Sequence, residues 1–317
     1  MHLPKPGSDS QKISCQDADA PIDFLAGFQH HSIRVDDEVK ISARMAGQGS
    51  PVLLMHGNPQ TSATWYAVAP VLARQYTVVA TDLRGYGDSS RPASDDSHAA
   101  YSKRRMALDQ IEVMRQLGFD RFAVVGHDRG GRVAHRMALD HPDKVERVAV
   151  LDIAPTATMY ARTDREFATR YFWWFFLIQP DPFPERLIGN DLEFFLRLGF
   201  RGQSKTPGLP SEPLIREYIR CARIDGSLHA ICEDYRASAS IDLEHDAIDT
   251  RAGNKLTMPL LALWGGKGTV GHLYDVLETW REKADNLAGG PLDCGHFPQE
   301  EVPDQLLEKL LPFLATS

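Results

Sequence analysis

The segment that most constrains this chain is FAVVGHDRGGRVAHRMAL, residues 122–139, in which an apolar run leads through a glycine-rich turn into a helical pattern. A sharp strand-to-helix turn crowds its own backbone, and Gly126 and Gly130 supply residues without side chains on both sides of Asp128. The pattern G-x-D-x-G predicts a nucleophile elbow with aspartate in the nucleophile position. Since aspartate is also a favoured N-cap, simple capping of the helix is the alternative role for Asp128.

Short apolar runs bounded by turn residues predict further buried strands, at 51–55, 76–81, 145–152 and 259–264. Segments with helical spacing, at 62–74, 102–117, 131–139 and 302–314, lie around and between them. Strands alternating with helices indicate a mostly parallel, doubly wound α/β sheet. Two alternating runs, at 31–35 and 39–45, predict an antiparallel hairpin at the edge of that sheet.

About a hundred residues from Pro155 to Thr257 contain no convincing strand but many aromatic, Leu and Arg residues, which predicts a helical insertion. Within it a helix is expected to end near Ile178, with an extended turn over the prolines of 180–184. An insertion at the carboxyl edge of a parallel sheet covers the place where ligands bind, so it is expected to be a lid. The predicted division is a flexible tail at 1–27, a core at 28–155, a cap at 156–256 and a second part of the core at 257–317.

Composition excludes several classes of function. With 317 residues, 43% of them hydrophobic, the chain can bury a full-sized core. A formal charge of -8 gives no general attraction for nucleic acid or membrane surfaces, and we expect neither as a partner. The four cysteines lack metal-ligand spacing, so no metal or other cofactor is expected. No signal-peptide core or long apolar run occurs, which favours a cytoplasmic protein with reduced thiols.

A carboxylate at the elbow predicts displacement chemistry. It is ionised at neutral pH and can attack an sp3 carbon, leaving an alkyl ester on the enzyme. Hydrolysis of that ester needs a base, and His296 lies where a histidine should follow the last strand. The acid that orients the base would commonly follow the strand at 259–264, but Gly268 stands there. Asp152, at the end of the preceding strand, is the candidate acid, and a turn residue at the lid entrance is its alternative role.

Other residues are candidates for holding the substrate. The backbone N–H groups of Arg129 and of Asn58, in the segment HGNP, would stabilise the tetrahedral intermediate. The guanidinium groups of Arg129 and Arg132 match a substrate carboxylate, unless one of them pairs with Asp128 or with a lid acid. The Trp174 indole and the Tyr235 hydroxyl could hold a departing halide, unless both belong to the core of the lid. Asp82 is expected to stabilise a turn.

Together these residues resemble the fluoroacetate and haloacetate dehalogenases of the α/β-hydrolase superfamily. The resemblance runs from about Ile33 to Phe313 and is most specific at GHDRGGR. It implies an α/β-hydrolase fold with a helical cap, a homodimer, and hydrolysis of a small 2-haloacid. By position, the family's residues fall on the nucleophile Asp128, the acid Asp152, the base His296, the carboxylate ligands Arg129 and Arg132, and the halide donors Trp174 and Tyr235.

One position departs from the family. The third halide donor is a histidine just before the lid tryptophan, and here that residue is Trp173. Because C–F cleavage depends on closely fitting donors, chloroacetate or bromoacetate is expected to be at least as good a substrate as fluoroacetate.

Three other functions compete. An epoxide hydrolase shares the aspartate elbow but needs two lid tyrosines, for which Tyr235 is well placed and Tyr171 is a weak second. Haloalkane dehalogenases usually have tryptophan after the nucleophile, where this chain has Arg129. A non-catalytic ligand receptor on the same fold would be favoured by a broken triad, whereas this sequence supplies all three members.

Overall fold

The computed structural model describes residues 23–315 and contains one eight-stranded sheet, in the order β1-β2-β4-β3-β5-β6-β7-β8. β1 pairs antiparallel with β2, β2 pairs antiparallel with β4, and the other neighbours are parallel. This confirms the predicted sheet with its edge hairpin. The strands are β1 (Gln29–Arg34), β2 (Lys40–Ala46), β3 (Pro51–Met55), β4 (Thr77–Thr81), β5 (Phe122–His127), β6 (Val145–Leu151), β7 (Leu260–Gly265) and β8 (Leu287–Leu292).

Helices cover both faces of the sheet and its carboxyl edge. They are α1 (Ala69–Leu72), α2 (Lys103–Gln116), α3 (Arg129–Asp140), α4 (Thr156–Ala161), α5 (Arg165–Arg170), α6 (Phe172–Phe176), α7 (Phe183–Asn190), α8 (Leu192–Gln203), α9 (Glu212–Ala222), α10 (Ser227–Ser238), α11 (Ile241–Ala252), α12 (Thr269–Leu273), α13 (Val276–Arg281), α14 (Pro298–Glu301) and α15 (Pro303–Ala315). Two 3₁₀ turns lie at Ser62–Trp65 and Ala99–Tyr101.

Two helix predictions need correction, and proline explains both. The helix expected at 62–74 is a 3₁₀ turn followed by the separate helix α1, because Pro70 lacks an N–H and can occupy only the first turn of a helix. The extended turn expected over 180–184 is shorter, since α7 already begins at Phe183 with Pro184 in its first turn.

The parallel strands are buried on both faces, which is why they read as continuous apolar runs. In β3, Leu53 and Met55 pack into the layer of α2, α3 and α13, whereas Val52 and Leu54 face the layer of α1 and α15. Eight helices, α4 to α11, lie in the chain between β6 and β7, and we call them the cap.

The predicted tail falls mostly on residues outside the described range. Leu25 is part of the predicted tail but lies within the described range. It is 2% exposed and packs with the core that contains Val52 and Leu72. Leu25, which the sequence assigned to the flexible tail, therefore belongs to the packed core. No helix between residues 23 and 315 combines the length and the hydropathy needed to cross a bilayer. Cys221, Cys232 and Cys294 are buried free thiols, and Cys15 lies outside the described residues.

Candidate active site

Asp128 occupies the turn between β5 and α3 with backbone angles φ 44° and ψ -112°, a conformation that non-glycine residues rarely adopt. Its side chain makes no hydrogen bond that caps α3, so capping does not explain it. A Cβ atom at Gly126 would lie 2.4 Å from the carbonyl oxygen of Gly130, and one at Gly130 would lie 2.5 Å from the carbonyl oxygen of His56. The glycines are therefore required by the close approach of backbone segments around this turn.

Asp152 and His296 meet although they are 144 residues apart in the chain. The Asp152 Oδ2 atom is 2.6 Å from His296 Nδ1, and Oδ1 accepts a hydrogen bond from the Gly265 N–H at 2.9 Å. This contact orients the imidazole, leaving Nε2 for a proton acceptor role. The acid thus reaches His296 from the end of β6, and Gly265, the last residue of β7, supplies the backbone N–H that holds it.

The charges around Asp128 favour its ionised form. Burial alone would raise the pKa of Asp128, but the cationic groups of His296, Arg129 and Arg132 outweigh burial and lower it. Burial likewise favours neutral His296, but its hydrogen bond to Asp152 and the nearby negative charges outweigh that effect and raise the pKa of His296. The site therefore holds a ready carboxylate nucleophile and a histidine that becomes a base as pH rises.

The loop after β3 brings a backbone donor to the nucleophile. The Asn58 N–H donates to Asp128 Oδ2 at 3.0 Å. His56 holds this loop, since its Nδ1 donates to the Gly57 carbonyl at 2.7 Å and its Nε2 accepts from the Leu83 N–H at 3.0 Å. Arg129 is the first residue of α3, so its N–H has no partner inside the helix. Both predicted oxyanion donors are thus located beside Asp128.

Arg132 is a buried cation that lines the cavity above Asp128. Its Nη1 donates to the Ala154 carbonyl at 3.1 Å and to Thr156 Oγ1 at 2.9 Å, and its guanidinium lies 4.8 Å from the centre of the Trp174 ring. Its Nε is buried without a hydrogen-bond partner, and no carboxylate of residues 23–315 lies within 4.0 Å of the guanidinium. Arg132 therefore carries a positive charge at the cavity wall that no carboxylate of the described residues contacts directly.

Arg129 differs, because its side chain pairs with an acid from the cap and is not among the cavity-lining groups. Its Nε and Nη2 donate to Asp234 at 3.0 and 2.7 Å, and its guanidinium stacks 4.2 Å from the centre of the Tyr235 ring. Only Nη1 is buried without a partner. The alternative role, in which an arginine pairs with an acid of the lid, therefore applies to Arg129. Its Nη1 group has no hydrogen-bond partner.

Asp234 is a functional candidate that the sequence interpretation missed. It is fully buried in α10 and accepts hydrogen bonds from Arg129, from Lys103 Nζ and, at 2.7 Å, from Tyr86 Oη. These cationic partners outweigh burial and hold its pKa well below the ordinary range. Its position beside Tyr235 in the segment CEDYRA was the available signal. Asp234 joins the cap to α2 and α3 of the core.

The predicted halide donors also lie at the cavity. Trp174 and Tyr235 are each 3% exposed and both line it, as do Trp173 and Tyr171. The Tyr235 hydroxyl oxygen accepts a hydrogen bond from Asn58 Nδ2 at 3.4 Å, which brings it near the oxyanion loop. Trp173 packs edge-on against Tyr171 with ring centres 5.3 Å apart. The cavity has a volume of about 300 Å³ and is also lined by Asp128, Asp152 and His296.

A second group of buried residues, which the sequence did not reveal, lies behind His296. His127 Nε2 donates to the His296 carbonyl at 2.7 Å, and Gln299 Nε2 lies 3.3 Å from His127 Nδ1. Burial lowers the pKa of His127 to about 3, so this ring is neutral. Gln299 also donates to Thr64 Oγ1 at 2.8 Å. These contacts fix the backbone of the loop that carries the base.

Glu300 extends this group to the cap. Its Oε1 accepts hydrogen bonds from Gln60 Nε2 and Thr64 Oγ1, both at 2.6 Å, and from Tyr218 Oη at 2.7 Å. Its Oε2 is buried without a partner, as are the amide oxygens of Gln60 and Gln299. Burial is the main cause that raises the pKa of Glu300, to about 7. Glu300 is thus a buried acid between the oxyanion loop, the histidine loop and α9.

Asp181, Glu185 and His229 form a group on the cap with ligand atoms within 4.8 Å of one another. Glu185 Oε1 is already engaged by Arg236 Nη1 at 2.8 Å and lies 3.2 Å from His229 Nδ1. The group does not line the cavity above Asp128, so it has no part in the chemistry described here.

Comparison with known proteins agrees with this geometry. The sequence profile of the α/β hydrolase fold matches residues 50–303. The chain is 44% identical to fluoroacetate dehalogenase from Burkholderia sp, over 92% of this chain and 95% of that protein. It is 37% identical to soluble epoxide hydrolase from Corynebacterium sp. (strain C12), over 85% and 92%. The crystal structure of an α/β hydrolase from Nostoc sp PCC 7120 superposes with a TM-score of 0.89 at 52% identity, covering 92% of this chain and 99% of the other.

These matches extend over nearly the whole length of the relatives. The dehalogenase and the epoxide hydrolase are named for different substrates. This chain belongs to the fluoroacetate and haloacetate dehalogenase family of the α/β-hydrolase superfamily, and it is a hydrolase.

Proposed function

We propose that this hydrolase removes the halide from a small 2-haloacid through an ester on Asp128. The observation that carries the proposal is an ionised nucleophile in the same cavity as Arg132, a buried cation with no carboxylate of residues 23–315 in direct contact. The substrate carboxylate would pair with the Arg132 guanidinium at the cavity wall, and the charge of Arg129 behind that wall would add to the attraction. The C2 atom of the substrate would then lie next to the nucleophile, since C2 is bonded to the carboxylate carbon.

In the first step an Asp128 oxygen attacks C2 from the side opposite the halogen. A C–O bond forms, the carbon–halogen bond breaks, and its electron pair leaves with the halide. The Trp174 indole N–H and the Tyr235 hydroxyl are the donors that would receive the halide. Asn58 N–H already holds Asp128 Oδ2, which leaves Oδ1 as the attacking oxygen.

In the second step water attacks the ester carbonyl carbon of Asp128 and gives its proton to His296 Nε2. Asp152 stabilises the imidazolium through the 2.6 Å contact. The N–H groups of Asn58 and Arg129 would stabilise the tetrahedral oxyanion. Collapse of the intermediate breaks the bond from the carbonyl carbon to the alkoxy oxygen, and the 2-hydroxy acid leaves with the proton from His296.

The proposal is tested by incubating wild type and a His296→Asn variant with chloroacetate, followed by mass spectrometry of the intact protein and its peptides. The variant should accumulate a carboxymethyl ester on Asp128, because it can form the ester but cannot hydrolyse it. An Asp128→Asn variant, as the matched control, should show none. An unmodified Asp128 in the His296→Asn protein at saturating chloroacetate would refute the proposal.

The preferred halogen depends on Trp173. We propose that chloroacetate and bromoacetate are turned over at least as well as fluoroacetate, because an indole replaces the family's histidine donor at the cavity wall. Turnover of the three substrates, measured by halide release, tests this. Faster release of fluoride than of chloride and bromide would contradict it.

Epoxide hydrolysis is the second candidate, and one observation favours it. Tyr171 and Tyr235 both line the cavity, as expected if two tyrosines protonate an epoxide oxygen. A neutral epoxide makes no use of the charge on Arg132. Substitution of Arg132 by Gln should therefore damage turnover of chloroacetate far more than that of a styrene oxide probe, if both are substrates.

A further inference from the structure

The cavity above Asp128 is much larger than a haloacetate. Its volume is about 300 Å³. Since one water molecule occupies roughly 30 Å³, the cavity has room for about ten waters. A two-carbon haloacid takes up the space of only about three of them. Most of the cavity would therefore stay unfilled by such a substrate.

The groups that carry charge or catalysis occupy one part of this space. Asn58 joins two of them, because its N–H donates to Asp128 and its side-chain amide donates to Tyr235. His296 and Arg132 also line the cavity, and both lower the pKa of Asp128 through their charge, so they lie close to it. A bound carboxylate and the C2 atom under attack are confined to this polar part.

The cap supplies apolar walls to the remaining part of the cavity above Asp128. Leu177, just after α6, is 1% exposed, and Leu196 and Phe200 of α8 are 6% and 2% exposed. These side chains line an internal chamber and not a surface groove. The mouth is formed by exposed residues, among them Phe172 and Leu198, which are 45% and 50% exposed.

The apolar walls of the chamber favour an apolar part of the substrate over water. Water held there would find few hydrogen-bond partners on the walls formed by Leu177, Leu196 and Phe200. An apolar group displaces that water and gains contact with the walls, an effect worth roughly fourfold in affinity for each buried methylene group. The wall therefore favours a substrate with an apolar part.

We infer that the preferred substrates are 2-haloacids that carry an apolar substituent on C2, either an alkyl chain of several carbons or an aryl ring. This inference rests on the proposed function, since it uses the same nucleophile and carboxylate contacts. The carboxylate binds Arg132, C2 faces Asp128, and the substituent enters the chamber beside Leu196 and Phe200.

Substituted acids also fix the stereochemical result. Attack by Asp128 forms a C–O bond at C2, breaks the carbon–halogen bond and inverts C2. Water then attacks the carbonyl carbon of Asp128, so the C2–O bond stays intact while the Asp128 acyl–oxygen bond breaks. One water is consumed, and a halide, a proton and a 2-hydroxy acid of inverted configuration are released.

The test compares kcat/KM for 2-chloropropanoate, 2-chlorobutanoate and 2-chlorohexanoate, which share a secondary C2 and differ only in the length of the apolar chain. We expect kcat/KM to rise by about fourfold for each added methylene group until the chamber is filled. A flat or falling series would overturn the inference. Chloroacetate is measured alongside, with ester formation on Asp128 as its readout.

Two opposite changes in side-chain size at Leu196 test whether the preference for longer chains arises in this chamber. Leu196→Trp fills the chamber and should reduce the ratio of kcat/KM for 2-chlorohexanoate to that for 2-chloropropanoate to near one. Leu196→Ala enlarges it and should move the optimum to a longer chain. Leu187→Trp, at an exposed position of α7 outside the cavity, is the matched control and should leave the ratio as in wild type.

The outcomes separate the two proposals. If His296→Asn forms no ester on Asp128 with chloroacetate, the proposed function fails. If that ester forms but neither chain length nor Leu196 substitution changes selectivity, only the inference about substrate class fails.

Discussion

Replacement of Glu300 by Gln should stabilise this enzyme at alkaline pH, because the carboxyl is buried where its charge is unfavourable. The substitution keeps the shape and the acceptor oxygen that receives Gln60, Thr64 and Tyr218. It also supplies an amide N–H₂ in place of Oε2. The amide oxygens of Gln60 and Gln299 are acceptors still without partners in this region.

The magnitude follows from the pKa of Glu300, which rises from an ordinary value of 4.5 to about 7 on folding. Since the folded state holds the proton more tightly, the stability contributed by Glu300 is complete below pH 4.5 and is lost as pH rises through 7. At about 1.4 kcal/mol per pKa unit, wild type loses roughly 3 kcal/mol at high pH. Of this, about 2 kcal/mol is lost between roughly pH 5.5 and pH 8.

The assay is urea unfolding, followed by tryptophan fluorescence, of wild type and Glu300→Gln at both pH values. The difference in free energy of unfolding, variant minus wild type, should increase by about 2 kcal/mol from acidic to alkaline pH. Glu308→Gln, at an exposed position on α15, is the matched control and should show no such increase. Parallel pH dependence of wild type and Glu300→Gln would refute the reasoning.

Three further predictions concern the chemistry. Asp152→Asn should lower kcat for chloroacetate by roughly 10²–10⁴-fold and make the Asp128 ester detectable at steady state. A change in KM with kcat unaltered would contradict an orienting role for Asp152. Arg132→Gln should reduce kcat/KM for chloroacetate by about 10- to 100-fold but affect the neutral chloroacetamide far less, and equal losses would point to general damage of the site. Decay of the Asp128 ester, followed in single turnovers, should slow by roughly tenfold per pH unit below the pKa of His296, because the protonated imidazole cannot accept a proton; a pH-independent decay would exclude His296 as the base.

The residues that local pattern reveals are those fixed by short-range backbone constraints. The elbow at Asp128 could be predicted because its glycines, strand and helix are adjacent in sequence. Asp152 and His296 could be predicted because each follows a strand whose end meets the same edge of the sheet. Asp234 and Glu300 could not, since their partners come from distant segments, and the only local signal is that Asp234 adjoins Tyr235. The split of the predicted helix 62–74 differs, because Pro70 is a local signal: it can occupy only the first turn of a helix.

The trio of Asp234, Arg129 and Lys103 has a consequence for how substrate reaches Asp128. The acid comes from the cap and both cations from the core, so lifting the cap as a body would pull apart buried charges. Leaving one charge of such a pair buried without its partner typically costs about 3–5 kcal/mol. The apolar mouth at Phe172 and Leu198 offers a route that leaves the trio intact. Substrate entry and product exit are therefore expected to depend on side-chain rotation at the mouth, which occurs far faster than domain opening. The cap itself would stay in place during turnover.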